Sequence, residues 1–336
     1  MKKSSPIIAA LFLLAFAGCA TQKQTAAPVP PPAPATPPGP VTLADLVDPA
    51  AKWEKLGTGL SWAEGPVWIG GDSGYLLLSD AHGQDMWKWS EAGGFVKFRS
   101  PSNASNGNTR DSQGRLVSTE QSTRRITRTE KDGTITVLAD NYQGKHFTSP
   151  NDIVVRSDGS VYFSDPPLYT PNAKEKVLDG DYIFRIDAKT HAVSIAVSGI
   201  RPNGLAFSTD EKKLYVVNGG PIAVCDVNPD GTCGPAKPFI RLKAGGCDGL
   251  RVDAAGRIWS SASDGVEIFN PDGTYIGTID TQKSIGTGLT NLSFGGKDNK
   301  TLFIATNPRG TTNQGSLYSI PVKVPGAPLP AGSKRE

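Results

Sequence analysis

Six segments of the 336-residue chain repeat one short pattern, and no other feature restricts the fold as strongly. Each begins with a polar residue, runs into an apolar strand, turns, and returns along a second apolar strand. Glu64-Gly65-Pro66-Val67 returns as Tyr75–Asp80, Asn106-Gly107-Asn108 as Arg115–Glu120, and Asn151-Asp152-Ile153-Val154 as Ser160–Asp165. Asn203-Gly204-Leu205 returns as Lys213–Asn218, Asp248-Gly249-Leu250 as Arg257–Ala262, and Asn291-Leu292-Ser293 as Thr301–Asn307. Successive lead residues are 42, 45, 52, 45 and 43 positions apart. That is the period of a four-stranded propeller blade.

The stretches between repeats supply the missing strands, such as Met86–Ser90 and Gly94–Arg99 after the first, or Gly265–Asn270 and Tyr275–Ile279 around Pro271-Asp272-Gly273. The last repeat has only Ser316–Val322 to follow it, and Lys52–Leu56 ahead of the first can complete its sheet, leaving no exposed edge. The expected fold is all-β, a six-bladed β-propeller of four-stranded blades closed by an N-terminal strand. Abundant Gly (38) and Pro (27) suit many short strands joined by tight turns, and 38% hydrophobic residues suffice for a core.

Ahead of the repeats the chain reads as an export address. Lys2 and Lys3 precede an apolar stretch, Ile7 to Ala17, too short to span a bilayer. Phe16-Ala17-Gly18-Cys19 resembles the bacterial lipoprotein box, which makes Cys19 the expected lipidation site and its lipid the only membrane attachment. Ala20 after it, instead of Asp, resembles an outer-membrane address, facing the periplasm. The expected organisation is a signal at 1–19, a Pro/Ala-rich tether at 20–42, a propeller at 43–325 and a tail at 326–336. The formal charge of +3 falls close to neutral once Lys2 and Lys3 are removed, and no basic run is present, so a nucleic-acid partner is not indicated. Oligomeric state is left open.

Export permits disulfides. Cys225 and Cys233 flank the turn Asn228-Pro229-Asp230-Gly231 and are expected to face each other across a hairpin; Cys247 has no evident mate. No Cys-x-x-Cys pair exists, and His82, His146 and His191 are scattered, which disfavours zinc.

In a propeller the first strand of each blade lines the central channel, so all six lead residues reach one rim. They comprise two carboxylates (Glu64, Asp248) and four amides (Asn106, Asn151, Asn203, Asn291). Asn and Asp favour turns in any case, but Glu does not. Two acids in a narrow channel repel and need a counter-charge. The oxygen donors suit Ca²⁺, with Mg²⁺ and Mn²⁺ as alternatives and Zn²⁺ the poorest fit. Ser79, Ser118 and Ser164 end second strands, yet none lies in a Gly-x-Ser-x-Gly elbow, so water attack on an ester or lactone carbonyl is the simplest chemistry available.

These motifs, in this order, resemble the gluconolactonase, regucalcin and luciferin-regenerating enzyme family over residues 52–322. The resemblance rests on Glu64-Gly65-Pro66-Val67-Trp68, Ser149-Pro150-Asn151-Asp152, Tyr162-Phe163-Ser164-Asp165-Pro166-Pro167, Pro202-Asn203-Gly204-Leu205-Ala206, Asp248-Gly249-Leu250-Arg251-Val252-Asp253 and Thr290-Asn291-Leu292-Ser293-Phe294-Gly295-Gly296. Gly144-Lys145-His146-Phe147 looks like the bacterial gluconolactonase branch. The resemblance implies a metal held by Glu64, Asn203 and Asp248, with Asn151 close by on metal, water or substrate. It implies Asp248 and Asn151 as catalytic groups, and a metal-dependent hydrolase that opens a sugar lactone such as D-glucono-1,5-lactone with metal-activated water. Asn151, Asn106, Ser149 and His146 are the expected substrate contacts. Ser149 stands where regucalcin has Arg, which points to a different substrate grip, and Cys247 stands where Pro is common. Trp62, His82, Tyr169 and Asn307 also fall near strand ends. Other lactones or phosphotriesters on the same site, or a non-catalytic binding propeller in the envelope, are the competing readings.

Overall fold

The computed structural model describes residues 40–71, 73–167, 178–308 and 313–328. The signal segment, Cys19, nearly all of the tether, and Tyr169 lie outside the described residues. Among those described, no helix is long and apolar enough to cross a membrane.

Six four-stranded antiparallel sheets follow one another around a central channel. Blade 1 holds Ala63–Ile69, Tyr75–Asp80, Asp85–Ser90 and Gly94–Arg99. Blade 2 begins at Ser105–Arg110, blade 3 at Ile153–Val155, blade 4 at Pro202–Phe207 and blade 5 at Leu250–Val252. Blade 6 takes Leu289–Gly295, Thr301–Thr306 and Gly315–Pro321 from the end of the chain and Glu54–Leu60 from its beginning. Glu54 pairs with Ser319 and Leu60 with Gly315. The two ends are tied again where Lys323 N–H donates to Leu46 O (2.8 Å).

Alternation along the strands sets the packing: one face of each sheet meets the blade before it and the other the blade after. Six apolar clusters result among the described residues, one at each junction. That between blades 1 and 2 is the smallest, built on Val67, Leu77, Met86 and Leu116. Beside it lies a polar network around buried Glu120, which accepts from Arg125 Nε (2.8 Å), Thr123 Oγ1 (2.7 Å) and Asn103 Nδ2 (3.0 Å) and faces Arg99 of blade 1 at 3.7 Å.

Several elements depart from the expected pattern. Helices Leu43–Leu46 and Thr281–Ile285 and the hairpin of Asn141–Tyr142 with Lys145–His146 have no counterpart in the repeat. Beyond residue 325 the chain stays attached, with Gly326 N–H on Asn299 O (3.0 Å) and Ala327 N–H on Val252 O (2.9 Å). Cys225 and Cys233, expected as a disulfide, are free thiols. The Asn228–Gly231 turn sets the register so that Cys233 stands opposite Val227, two residues from Cys225. Such diagonal neighbours lie about 7–8 Å apart, beyond the usual Cα span of a disulfide. Burial pushes the two thiols up, to about 12 and about 11 respectively.

Candidate active site

In four blades the register of the first strand slips at its lead residue, between Glu64 and Val67, Ser105 and Asn108, Pro202 and Leu205, and Leu289 and Asn291. A bulge bends the strand and re-aims the side chain it carries. Here it turns the lead residue off the sheet toward the channel. In blades 3 and 5 the lead residue sits just ahead of the strand instead.

Hydroxyl groups at the ends of the second strands hold this irregular backbone. Ser261 Oγ accepts from Asp248 N–H (2.9 Å) and Gly249 N–H (3.1 Å), Ser164 Oγ from Asp152 N–H (2.9 Å), and Thr119 Oγ1 from Gly107 N–H (2.9 Å). Ser79 Oγ bonds Ser105 Oγ and Asn108 Nδ2, both at 2.9 Å. These serines are therefore fasteners, already engaged with backbone and amide groups. Acids and amides at the same strand ends hold the approaching loops. Asp80 accepts from the Ser61 and Trp62 N–H groups, Asp165 from those of Thr148 and Ser149, and Asn307 brackets Ala63 through both its N–H and its carbonyl.

Neighbouring blades are also laced through the lead residues. Gly107 N–H donates to Asn151 O (2.7 Å), Gly204 N–H to Asp248 O (2.9 Å) and Gly249 N–H to Thr290 O (2.8 Å). Such close approach requires glycine: a Cβ on Gly204 would collide with the Asp248 carbonyl, and one on Gly65 with that of Asn106.

At the centre, Glu64 is buried; Gly65 N–H (3.2 Å) and Asn291 Nδ2 (3.5 Å) donate to its Oε2, and Trp62 Nε1 (3.3 Å) to its Oε1. Burial, then the charges of Asp248 and Asp152, push its carboxyl well above the ordinary range. Asp248, partly open at the channel mouth, is raised to about 7 by burial and then by Asp152, while a hydrogen bond from the Asn203 side chain opposes the rise. Glu64, Asn203, Asp248 and Asn291 are thus brought together. Asn151 and Asn106 are buried at the equivalent positions of blades 3 and 2, and Asn106 Oδ1 has no partner among the described residues.

Asp152 joins the two expected acids. It is buried, accepts from Ile153 N–H (2.9 Å) and faces Arg251 Nη1 across 3.4 Å. The sequence carried a signal for it: in four of the six repeats glycine follows the lead residue, and in the third an acid replaces it. His146 is not brought in. It is exposed on the Asn141–His146 hairpin with Nδ1 against Asp140 O (3.2 Å), and no contact joins it to the ring among the described residues. Ser149 is buried beside the site, with its N–H spent on Asp165 (2.6 Å). Cys247 is buried and pushed up to about 12, with Ser260 Oγ donating to its sulfur (2.8 Å), so it fills space and is no nucleophile.

These donors fit a hard dication. Mutually repelling acids lie among amide side chains in a place where neither Lys nor Arg touches Glu64 or Asp248 among the described residues. No three His, Cys, Asp or Glu side chains among those residues lie close enough to hold an ion by themselves, so an ion there would need amide ligands as well. A mixed carboxylate and amide shell is one that calcium accepts readily.

Known proteins carry the same architecture. The gluconolactonase of Zymomonas mobilis is 32% identical over 293 residues, covering 78% of this chain and 81% of that protein. The solved structure of a gluconolactonase from Xanthomonas campestris superposes with a TM-score of 0.75 at 32% identity, over 83% of this chain and 92% of that one. A calcium-binding regucalcin from Agrobacterium tumefaciens shares the fold at 20% identity and a TM-score of 0.65, over 82% of this chain and 96% of that one. The SMP-30/gluconolactonase/LRE-like region matches residues 62–307, which run from the loop before Glu64 through the second strand of blade 6. The chain belongs to the SMP-30/gluconolactonase/LRE-like family.

Proposed function

We propose that the protein is a Ca²⁺-dependent lactone hydrolase that opens an aldonolactone such as D-glucono-1,5-lactone. The observation that carries this reading is the acid pair of buried Glu64 and partly open Asp248, whose charges repel at the channel mouth among amide side chains. A binding scaffold has no use for such a pair, which raises the cost of its own fold. The gluconolactonases of Zymomonas mobilis and Xanthomonas campestris support the reaction class, and the calcium-binding relative supports the ion.

Glu64, Asn203 and Asp248 would hold the ion, with Asn151 beside them. Bound there, a hard dication supplies Lewis-acid polarisation of a carbonyl oxygen and makes water more acidic. The chain's own residues do the rest. Asp248, partly open to the mouth, takes the proton from the attacking water and returns it to the ring oxygen as the acyl C–O bond breaks. Lactone and water thus become one hydroxy acid, which ionises. Asn203 orients the Asp248 carboxylate, and Asn151 and Asn106 offer amides to sugar hydroxyls. Trp62, anchored on Glu64, lies tilted against His82 with ring centroids 5.2 Å apart and adds an aromatic surface beside the acid. We place this activity at the bacterial cell envelope, supported by Lys2, Lys3, the apolar Ile7–Ala17 stretch and the lipobox-like Cys19.

The test is hydrolysis of D-glucono-1,5-lactone by purified protein, followed against the spontaneous rate, with and without chelator. Turnover that chelation abolishes and calcium restores is expected. Metal binding without turnover of any lactone in a panel would overturn the enzymatic reading.

A further inference from the structure

The first strands all run in one direction, so the channel has a second mouth at their far ends. A cavity of about 680 Å³ opens there, lined by Trp68, Arg110, Ser157, Arg251 and Phe294, with Pro328 at its edge. That volume is within the range of small-molecule sites, and apolar rings with a few fixed polar groups are their usual lining. Trp68 lies four residues beyond Glu64 on the same strand, at most roughly 13 Å away at 3.3 Å per residue because the bulge shortens the path. The Asp152–Arg251 pair stands between the two mouths, with Asp152 coupled to the acids of one and Arg251 lining the other.

Most charges in this second mouth are matched. Glu211 accepts from Ser157 N–H (2.7 Å) and lies 3.7 Å from Arg156. Asp210 accepts from Ser208 Oγ (2.7 Å) and Lys212 N–H (3.1 Å). Arg251 faces Asp152 and donates to Leu250 O (2.7 Å). Arg110 differs. Its guanidinium donates to Gly70 O (3.1 Å), its Nε is buried without a partner, and no carboxylate pairs with it among the described residues. Burial pushes its pKa down to about 10, and no acid among the described residues opposes the shift. A half-buried charge with no acid beside it among the described residues is costlier to keep than a paired one. Arg110 lines the cavity wall with donor capacity left over beyond its bond to Gly70, and a guanidinium is the group that recognises carboxylate and phosphate oxygens.

We propose that this second mouth is a ligand site, separate from the acid ring, that binds a small oxyanion, a carboxylate or a phosphate, with Arg110 as its anchor. The proposal does not depend on the lactone reading, because its residues lie at the opposite ends of the strands.

Calorimetric titration at constant ionic strength tests it, with inorganic phosphate and gluconate as probes. Saturable binding of one equivalent of at least one probe is expected, with affinity unchanged in Glu64→Gln. Phosphate alone would indicate a phosphate-type ligand, and gluconate a carboxylate. Arg110→Met is expected to weaken binding at least tenfold. In anion-free buffer that variant should melt no lower than the unaltered protein, because an unmatched charge is gone. Added probe should then raise the melting temperature of the unaltered protein only. If Arg110→Met does not fold, Arg110→Lys serves: it keeps the charge without the guanidinium and should bind severalfold more weakly. Absence of saturable binding by the unaltered protein at millimolar probe overturns the proposal. So does equal affinity in the Arg110 variants, or loss of binding in Glu64→Gln.

Discussion

Under the proposed function Asp248 has two tasks at the acid ring, contributing an oxygen to a cation and moving a proton. A carboxylate beside a dication is a weaker base, so its two oxygens divide the work. Asp248→Asn keeps the volume and the backbone bonds to Ser261 but cannot carry the proton. Its kcat on D-glucono-1,5-lactone is expected to fall by about 10²–10⁴-fold, the range general bases supply, with the fold intact by circular dichroism. Retained turnover would remove Asp248 from that role. The same group gives a pH signature without metal. Its carboxyl titrates at about 7 in the folded chain against an ordinary 3.8. Between those values the folded chain keeps a proton that the unfolded chain has released. Its contribution to stability is therefore complete below about pH 4 and is lost as pH rises through about 7. Chelated protein should melt at a lower temperature at pH 8 than at pH 5, and Asp248→Asn should flatten that slope. An equal slope in both proteins would place the effect elsewhere. The six lead residues were readable because each recurs at blade spacing. Asp152 was not singled out although it breaks the glycine pattern of the repeats, because its weight comes from facing the acids Glu64 and Asp248 of other blades. His146 was read by motif alone, and the hairpin that carries it away from the ring has no counterpart in the repeat.

At the level of the blade, the bulge and the glycine beside it do more than shape a strand. Gly204 lets the backbone of blade 4 approach Asp248 of blade 5 closely enough to hydrogen-bond at 2.9 Å. Gly204→Ala is expected to cost about 1–3 kcal/mol, as overpacking does, measured by urea unfolding. It should weaken calcium binding by more than a substitution of equal cost at a blade periphery. Equal effects on calcium binding would show that the lacing does not position the ring. The strands were legible from alternation and turn residues, and Asn228-Pro229-Asp230-Gly231 does form the expected turn. What a turn motif does not specify is the diagonal register across it, and that register separates Cys225 from Cys233. The serines at the second-strand ends had a visible position, but their partnership with the lead-residue backbone emerges only once the sheets are assembled.

Across the whole molecule, the ring of acids and amides joins blades that otherwise meet only their neighbours. An ion bound there bridges non-adjacent blades and should stabilise the disc as a unit. At a hundredfold excess over its dissociation constant, calcium is expected to add about 2.7 kcal/mol. A rise in melting temperature that saturates with calcium and is cancelled by Glu64→Gln would show this. An equal rise in that variant would place the ion elsewhere.

The sixth sheet combines strands about 255 positions apart, Glu54–Leu60 with Gly315–Pro321. During synthesis the opening strand must wait for nearly the entire chain before it finds its mate, and until then blade 1 has no neighbour on that side. Contacts of such sequence separation slow the final step of folding. A nick anywhere in the intervening loops can leave the disc assembled, whereas loss of either terminal strand unlatches it. Durability in this protein is thus decided at its seam.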